Sequence, residues 1–147
     1  MSPRFALLPP APRGYTRFEM ERGTADRKIR ITVGKISAEA VLNDSRTAIA
    51  VWDALPLSIA GQTWGDEIYF GIPVKAKAEN ARAVVEMGDL AYWPPGSAFC
   101  IFYGPTPASQ GDEIRPASPV NVFGRVLGDP TVFKPVRSGA TVRVERA

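Results

Sequence analysis

Lys28–Val33 (K-I-R-I-T-V) alternates apolar and polar residues with the period of two that a half-buried strand requires. Gly34-Lys35 predicts a turn into a second strand, Ile36–Leu42. Between Asp44 and Leu55 the period changes. Ala48, Val51, Trp52 and Leu55 fall on one helical face, Asp44 or Ser45 can cap it, and Pro56 stops it. The chain then returns to strands: Leu57–Thr63, Glu67–Ile72, Leu90–Trp93, Ala98–Tyr103, Val120–Leu127 and Thr141–Arg146. Pro94-Pro95-Gly96-Ser97 turns a hairpin. Asp129-Pro130 supplies the cap and first position of a second short helix, which Gly139 should close. About eight strands and two short helices, with no repeat, predict a mainly β domain whose natural form is a closed barrel or a sandwich.

Composition narrows the chemistry more than it defines it. The 147 residues suffice for one domain with a real core, and 45% of them are hydrophobic. No apolar run approaches the roughly 20 residues of a membrane helix, so neither a membrane partner nor a membrane span is expected. The chain has no histidine, which removes Ser-His-Asp and Cys-His nucleophile systems and every histidine-ligated metal. Its one cysteine, Cys100, allows no internal disulfide.

The net charge of +3 changes meaning once it is located. Residues 1–28 carry six basic residues against three acidic ones, and the remaining twelve basic and twelve acidic residues cancel. No basic run with interleaved aromatics is left to track a phosphate backbone, so nucleic acid is not an expected partner. Residues 1–28 read as a proline- and arginine-bearing extension ahead of a domain at 29–147. Phe5-Ala6-Leu7-Leu8 ends at Pro9-Pro10, too short for a secretory core, and cytoplasmic retention is the default expectation. Leu7, Leu8, Tyr15, Phe18 and Met20 give the extension apolar groups, and Tyr15–Met20 alternates well enough to add a strand to an exposed edge. It is therefore expected to dock on a neighbouring copy and make a homo-oligomer.

Three blocks carry a family resemblance. Ile36–Leu55, Gly88–Gly104 (G-D-L-A-Y-W-P-P-G-S-A-F-C-I-F-Y-G) and Val120–Gly128 (V-N-V-F-G-R-V-L-G) together resemble a cyclophilin. Thr63–Phe70 (T-W-G-D-E-I-Y-F), Tyr92–Gly96, Gly104–Pro107 and Arg115–Asn121 are more similar to small bacterial and archaeal cyclophilin-like proteins without an established activity. The resemblance spans about residues 29–147 and implies an eight-stranded closed barrel capped by two short helices. It does not carry over the isomerase chemistry. Cyclophilins twist X-Pro bonds with an arginine from an F-H-R strand, but Ile68–Ile72 has neither arginine nor histidine. Aligned without gaps, Ala98 and Cys100 replace a glutamine and a pocket phenylalanine. Val120 replaces the groove histidine, and Arg115 replaces the groove tryptophan.

What remains is a groove whose rim can be named. Arg115, in the long Gly104–Pro119 loop, carries a fork suited to a carboxylate or phosphate, and it is the expected anchor of the site. Trp64, Tyr69 and Tyr92 are its expected walls, with Asp66 and Glu67 beside them. Asp66 and Glu67 could do acid–base work as a close pair, but consecutive strand residues point to opposite faces, which argues against a shared proton. With Asp112 or Glu113 they could hold a hard cation, yet no DxDxDG-like loop is present, and neither metal nor cofactor is expected. Alternation separates Phe99, Ile101 and Tyr103 from Ala98, Cys100 and Phe102, and it sends Tyr92 and Trp93 opposite ways. Cys100 reads as a small buried hydrophobe. The expected function is a non-catalytic binding module for a small anionic molecule or a peptide segment. A divergent prolyl isomerase is the first alternative, and an accessory unit of an amide- or lactam-cleaving enzyme is the second.

Overall fold

The computed structural model describes residues 27–147. The docking extension lies outside the described residues, apart from Arg27 and Lys28. Within them, β1 (Lys28–Val33), β2 (Ile36–Leu42) and β9 (Thr141–Arg146) occupy the stretches their alternation predicts. The helix α1 spans Arg46–Ala54. Ser45 is its cap, with Oγ accepting from the Ala48 N–H at 3.0 Å.

Among the described residues nine strands form one sheet, not eight. The extra strand comes from a break inside Leu57–Thr63, which divides into β3 (Leu57–Ala60) and β4 (Gln62–Thr63) at Gly61. A Cβ at Gly61 would lie 2.8 Å from Val142 and 3.1 Å from Ile68. There the chain leaves its pairing with β9 and joins β5 (Glu67–Gly71). With β6 (Asp89–Trp93), β7 (Ala98–Phe102) and β8 (Asn121–Val126) the order is β3-β9-β1-β2-β8-β6-β7-β5-β4. The two ends of this sheet are therefore consecutive segments of chain, so the barrel is nearly closed.

The second expected helix is a single 3-10 turn, Pro130–Phe133, which ends well before Gly139. The Asp129 carboxylate accepts from the Thr131 N–H and hydroxyl as a cap should, and Phe133 is fully buried against Tyr103. The barrel interior is filled by Ile29, Ile31, Leu42, Phe70, Phe99, Phe123 and Val144. The Phe70 and Phe99 rings stack at 4.9 Å. No helix among the described residues is long and apolar enough to cross a membrane.

Candidate functional site

β7 is buried on both faces, and its two faces serve different cores. Phe99 and Ile101 point into the barrel with Tyr103 just beyond the strand, while Ala98, Cys100 and Phe102 point outward. The register brings Tyr69 opposite Cys100, Ala91 opposite Cys100, and Trp93 opposite Ala98. Two loops, 72–88 and 103–120, run over this outer face. Backbone bridges Arg82–Val120 and Val85–Ile114 tie them together. Val85, Ile114 and Val120 from the loops complete a second apolar cluster there.

Beside that cluster lies a cavity of about 280 Å³. Trp64, Tyr69 and Trp93 border it with Pro116, Ala117 and Val120, and Glu67 and Cys100 complete its lining. The turn that presents Trp64 and Glu67 closes with the Trp64 N–H donating to the Glu67 carbonyl at 2.9 Å. Gly65 takes φ +60° in that turn and packs so tightly on Pro105 and Pro107 that a Cβ would approach within 3 Å. Trp93 donates its Nε1–H to Ser118 Oγ at 2.7 Å, which fixes the indole against the long loop.

Glu67 is only 6% exposed, and burial pushes its carboxyl up to about 7, against a weaker opposing pull from a hydrogen bond with the Cys100 thiol. Burial, and then the charge of Glu67, raises the Cys100 thiol well above its ordinary value, so it is not a poised nucleophile. Tyr103 is pushed up to about 12 by burial and by the charges of Asp66 and Glu67.

Of the residues expected at the site, Trp64, Glu67 and Tyr69 border this cavity and three do not. Asp66 points away, as alternation requires, and its Oδ2 accepts from Lys134 Nζ at 2.9 Å. Tyr92 faces the interior. Its hydroxyl donates to the Val74 carbonyl at 2.7 Å and accepts from the Ala76 N–H, pinning the first loop beside a separate open cleft with Lys75 and Lys77. Arg115 turns its guanidinium onto Glu113, at 2.7 Å from Nε and 3.2 Å from the terminal nitrogen. Its backbone is held by Ser109 and Thr106, so it is Pro116 and Ala117, not Arg115, that reach the cavity. Cys100 is buried as expected but also lines the site. Trp93 borders the cavity in place of Tyr92, in keeping with a parity that allows only one of the two there; Pro116 and Ala117 have no signal in the sequence beyond the length of their loop. Among the described residues no group of three or more potential ligand side chains converges on a metal-sized point.

A family model described as cyclophilin-like matches residues 27–145. The chain is also similar to the solution structure of the hypothetical protein AF2241 from Archaeoglobus fulgidus. The two are 43% identical over 86% of this chain and 98% of that one, with a TM-score of 0.72. No curated protein matches. Cys100 and Val120, which the ungapped reading put at groove positions, both line the cavity on the outer face of the barrel.

Proposed function

This chain belongs to the cyclophilin-like family, and from that premise we propose that it is a binding module that seats an apolar part of a peptide segment or small molecule in the Glu67 cavity. The observation that carries this reading is the lining: aromatic and aliphatic walls around a single buried carboxyl. Such concave, mostly apolar sites with one or two polar groups are the usual form of small-ligand pockets. Of the two ligand classes expected from the sequence, the peptide segment fits better than the small anion. An anion here would lie against a second carboxyl, while Arg115 is already matched by Glu113.

Catalysed rotation of an X-Pro bond needs a fixed donor aimed at the twisting amide, and none of the described residues bordering the cavity carries a guanidinium or a carboxamide. An X-Pro peptide assay is therefore expected to give no rate above background. Binding is tested with a library of short peptides, read out on the Trp64 and Trp93 indole N–H resonances. Hits should shift these two first. Ala117→Trp, made at an exposed position on the mouth, should abolish the shifts. Peptides that bind equally well to this variant would sink the reading, and a catalysed rate that Ala117→Trp removes would replace it with isomerase activity.

A further inference from the structure

The polarity of the cavity is more specific than its shape. Glu67 is more than nine-tenths buried and lines the cavity beside Cys100, whose thiol is only a weak donor. The nearby cations are spent elsewhere: Lys134 on Asp66 and Arg115 on Glu113. Among the described residues no lysine or arginine borders the cavity. The remaining wall includes three aromatic residues, Trp64, Tyr69 and Trp93. Because the Trp93 N–H is already donated to Ser118, that indole has only ring carbon left to offer. Ring faces attract cations, most strongly where water is excluded, and an unmatched carboxylate in the same enclosure adds to that attraction.

We infer that this cavity selects an organic cation, an alkylammonium such as a lysine-type side chain or a methylated ammonium group, with the charge set beside Glu67 and the alkyl groups against Trp64, Tyr69 and Trp93. This inference rests on the binding-module reading and specifies the part of the ligand that enters. A metal ion is the poorer fit. It would want several oxygens, and the neighbouring carboxylate of Asp66 is turned away onto Lys134. The aliphatic contribution of Pro116 and Val120 suits a cation that carries its own alkyl shell.

The test uses the full chain with two probes of one shape, choline and its uncharged isostere 3,3-dimethylbutan-1-ol, titrated at pH 8 while the indole N–H resonances are followed. Choline is expected to bind on the order of tenfold more tightly than the isostere. Glu67→Gln keeps the side-chain shape and should cut that preference severalfold, leaving only the part the ring faces supply. Equal affinities in the parent protein, or a preference undiminished in Glu67→Gln, would overturn the inference. If the isostere alone binds, the cation assignment fails and the binding-module reading stands. If neither probe moves the Trp93 indole, the inference fails, and the peptide library decides the binding-module reading separately. Thermal unfolding of Glu67→Gln, which is expected to fold, separates lost selectivity from lost structure.

Discussion

Two glutamates withdrawn from solvent meet opposite surroundings. Glu79, in the loop over the outer face, accepts at 3.0 Å from each of the Arg46 and Thr47 N–H groups and at 2.8 Å from the Thr47 hydroxyl. Its own N–H donates to Asn121 Oδ1, and Asn121 in turn donates to Thr47 and to the Lys77 carbonyl. Burial pushes this carboxyl up, but the Thr47 and Arg46 hydrogen bonds outweigh it and hold the group below its ordinary value. Glu67 has burial with only a thiol against it, and goes the other way. The difference separates a carboxylate that completes a structure from one that lines a cavity. Glu79 closes the N-terminal donors of α1 and ties the loop to β8, whereas Glu67 borders the apolar cavity.

The largest test of this contrast is the pH dependence of stability. Glu67 is raised from 4.5 in the unfolded chain to about 7, so the folded state binds the extra proton between those limits. Its contribution to stability is full below about pH 4.5, falls as pH rises toward 7, and is constant above. A shift of that size corresponds to up to about 3 kcal/mol. Cys100 and Tyr103 stay protonated across the window, whereas Glu67 titrates within it. Denaturant unfolding should give Glu67→Gln a stability close to the parent at pH 5 and clearly above it at pH 8. Equal stability of the two proteins at pH 8 would mean that Glu67 is solvated after all. Glu79→Ala should behave differently, losing about 1–2 kcal/mol at pH 8 through its capping and loop contacts. The loss should come with faster amide exchange at Arg46 and Thr47. A neutral effect there would remove the distinction between the two carboxyls.

How much of this was legible depended on which faces are wet. β1 alternates between half-buried and buried positions and β9 largely between exposed and buried ones, and their boundaries follow from sequence. β7 is buried on both faces, so its alternation separates two cores without telling which is inside. That is why the sequence favours Tyr92 over Trp93 as the groove wall and the structure reverses the choice: parity says only that they differ, and the register against Phe99 and Ala98 assigns them. The break at Gly61 was invisible because it depends on Val142, eighty-one positions away in the chain. Asp66 and Glu67 were separable in advance, since a strand sends neighbours to opposite sides.

The smallest expected effect concerns Arg115, and it decides between the site expected from sequence and the site the fold builds. Arginine stands out chemically in that loop, yet Glu113 lies two residues away and engages it with both carboxylate oxygens. That pairing lowers the Glu113 carboxyl and raises the Arg115 guanidinium, each through the hydrogen bond first and the opposite charge second. Both side chains are substantially exposed, and exposed pairs contribute little to stability once solvent and salt screen them. The loop keeps its shape by other means. Ser109 Oγ accepts from the Thr106 and Arg115 N–H groups, and the Thr106 hydroxyl donates to the Arg115 carbonyl, none of which involves the guanidinium. Arg115→Ala should therefore leave the unfolding midpoint and the indole shifts produced by choline unchanged. Tightened choline binding in this variant would show that the loop's surface charge reaches the cavity. A loss of binding confined to anionic ligands would restore Arg115 as an anchor at a site separate from Glu67.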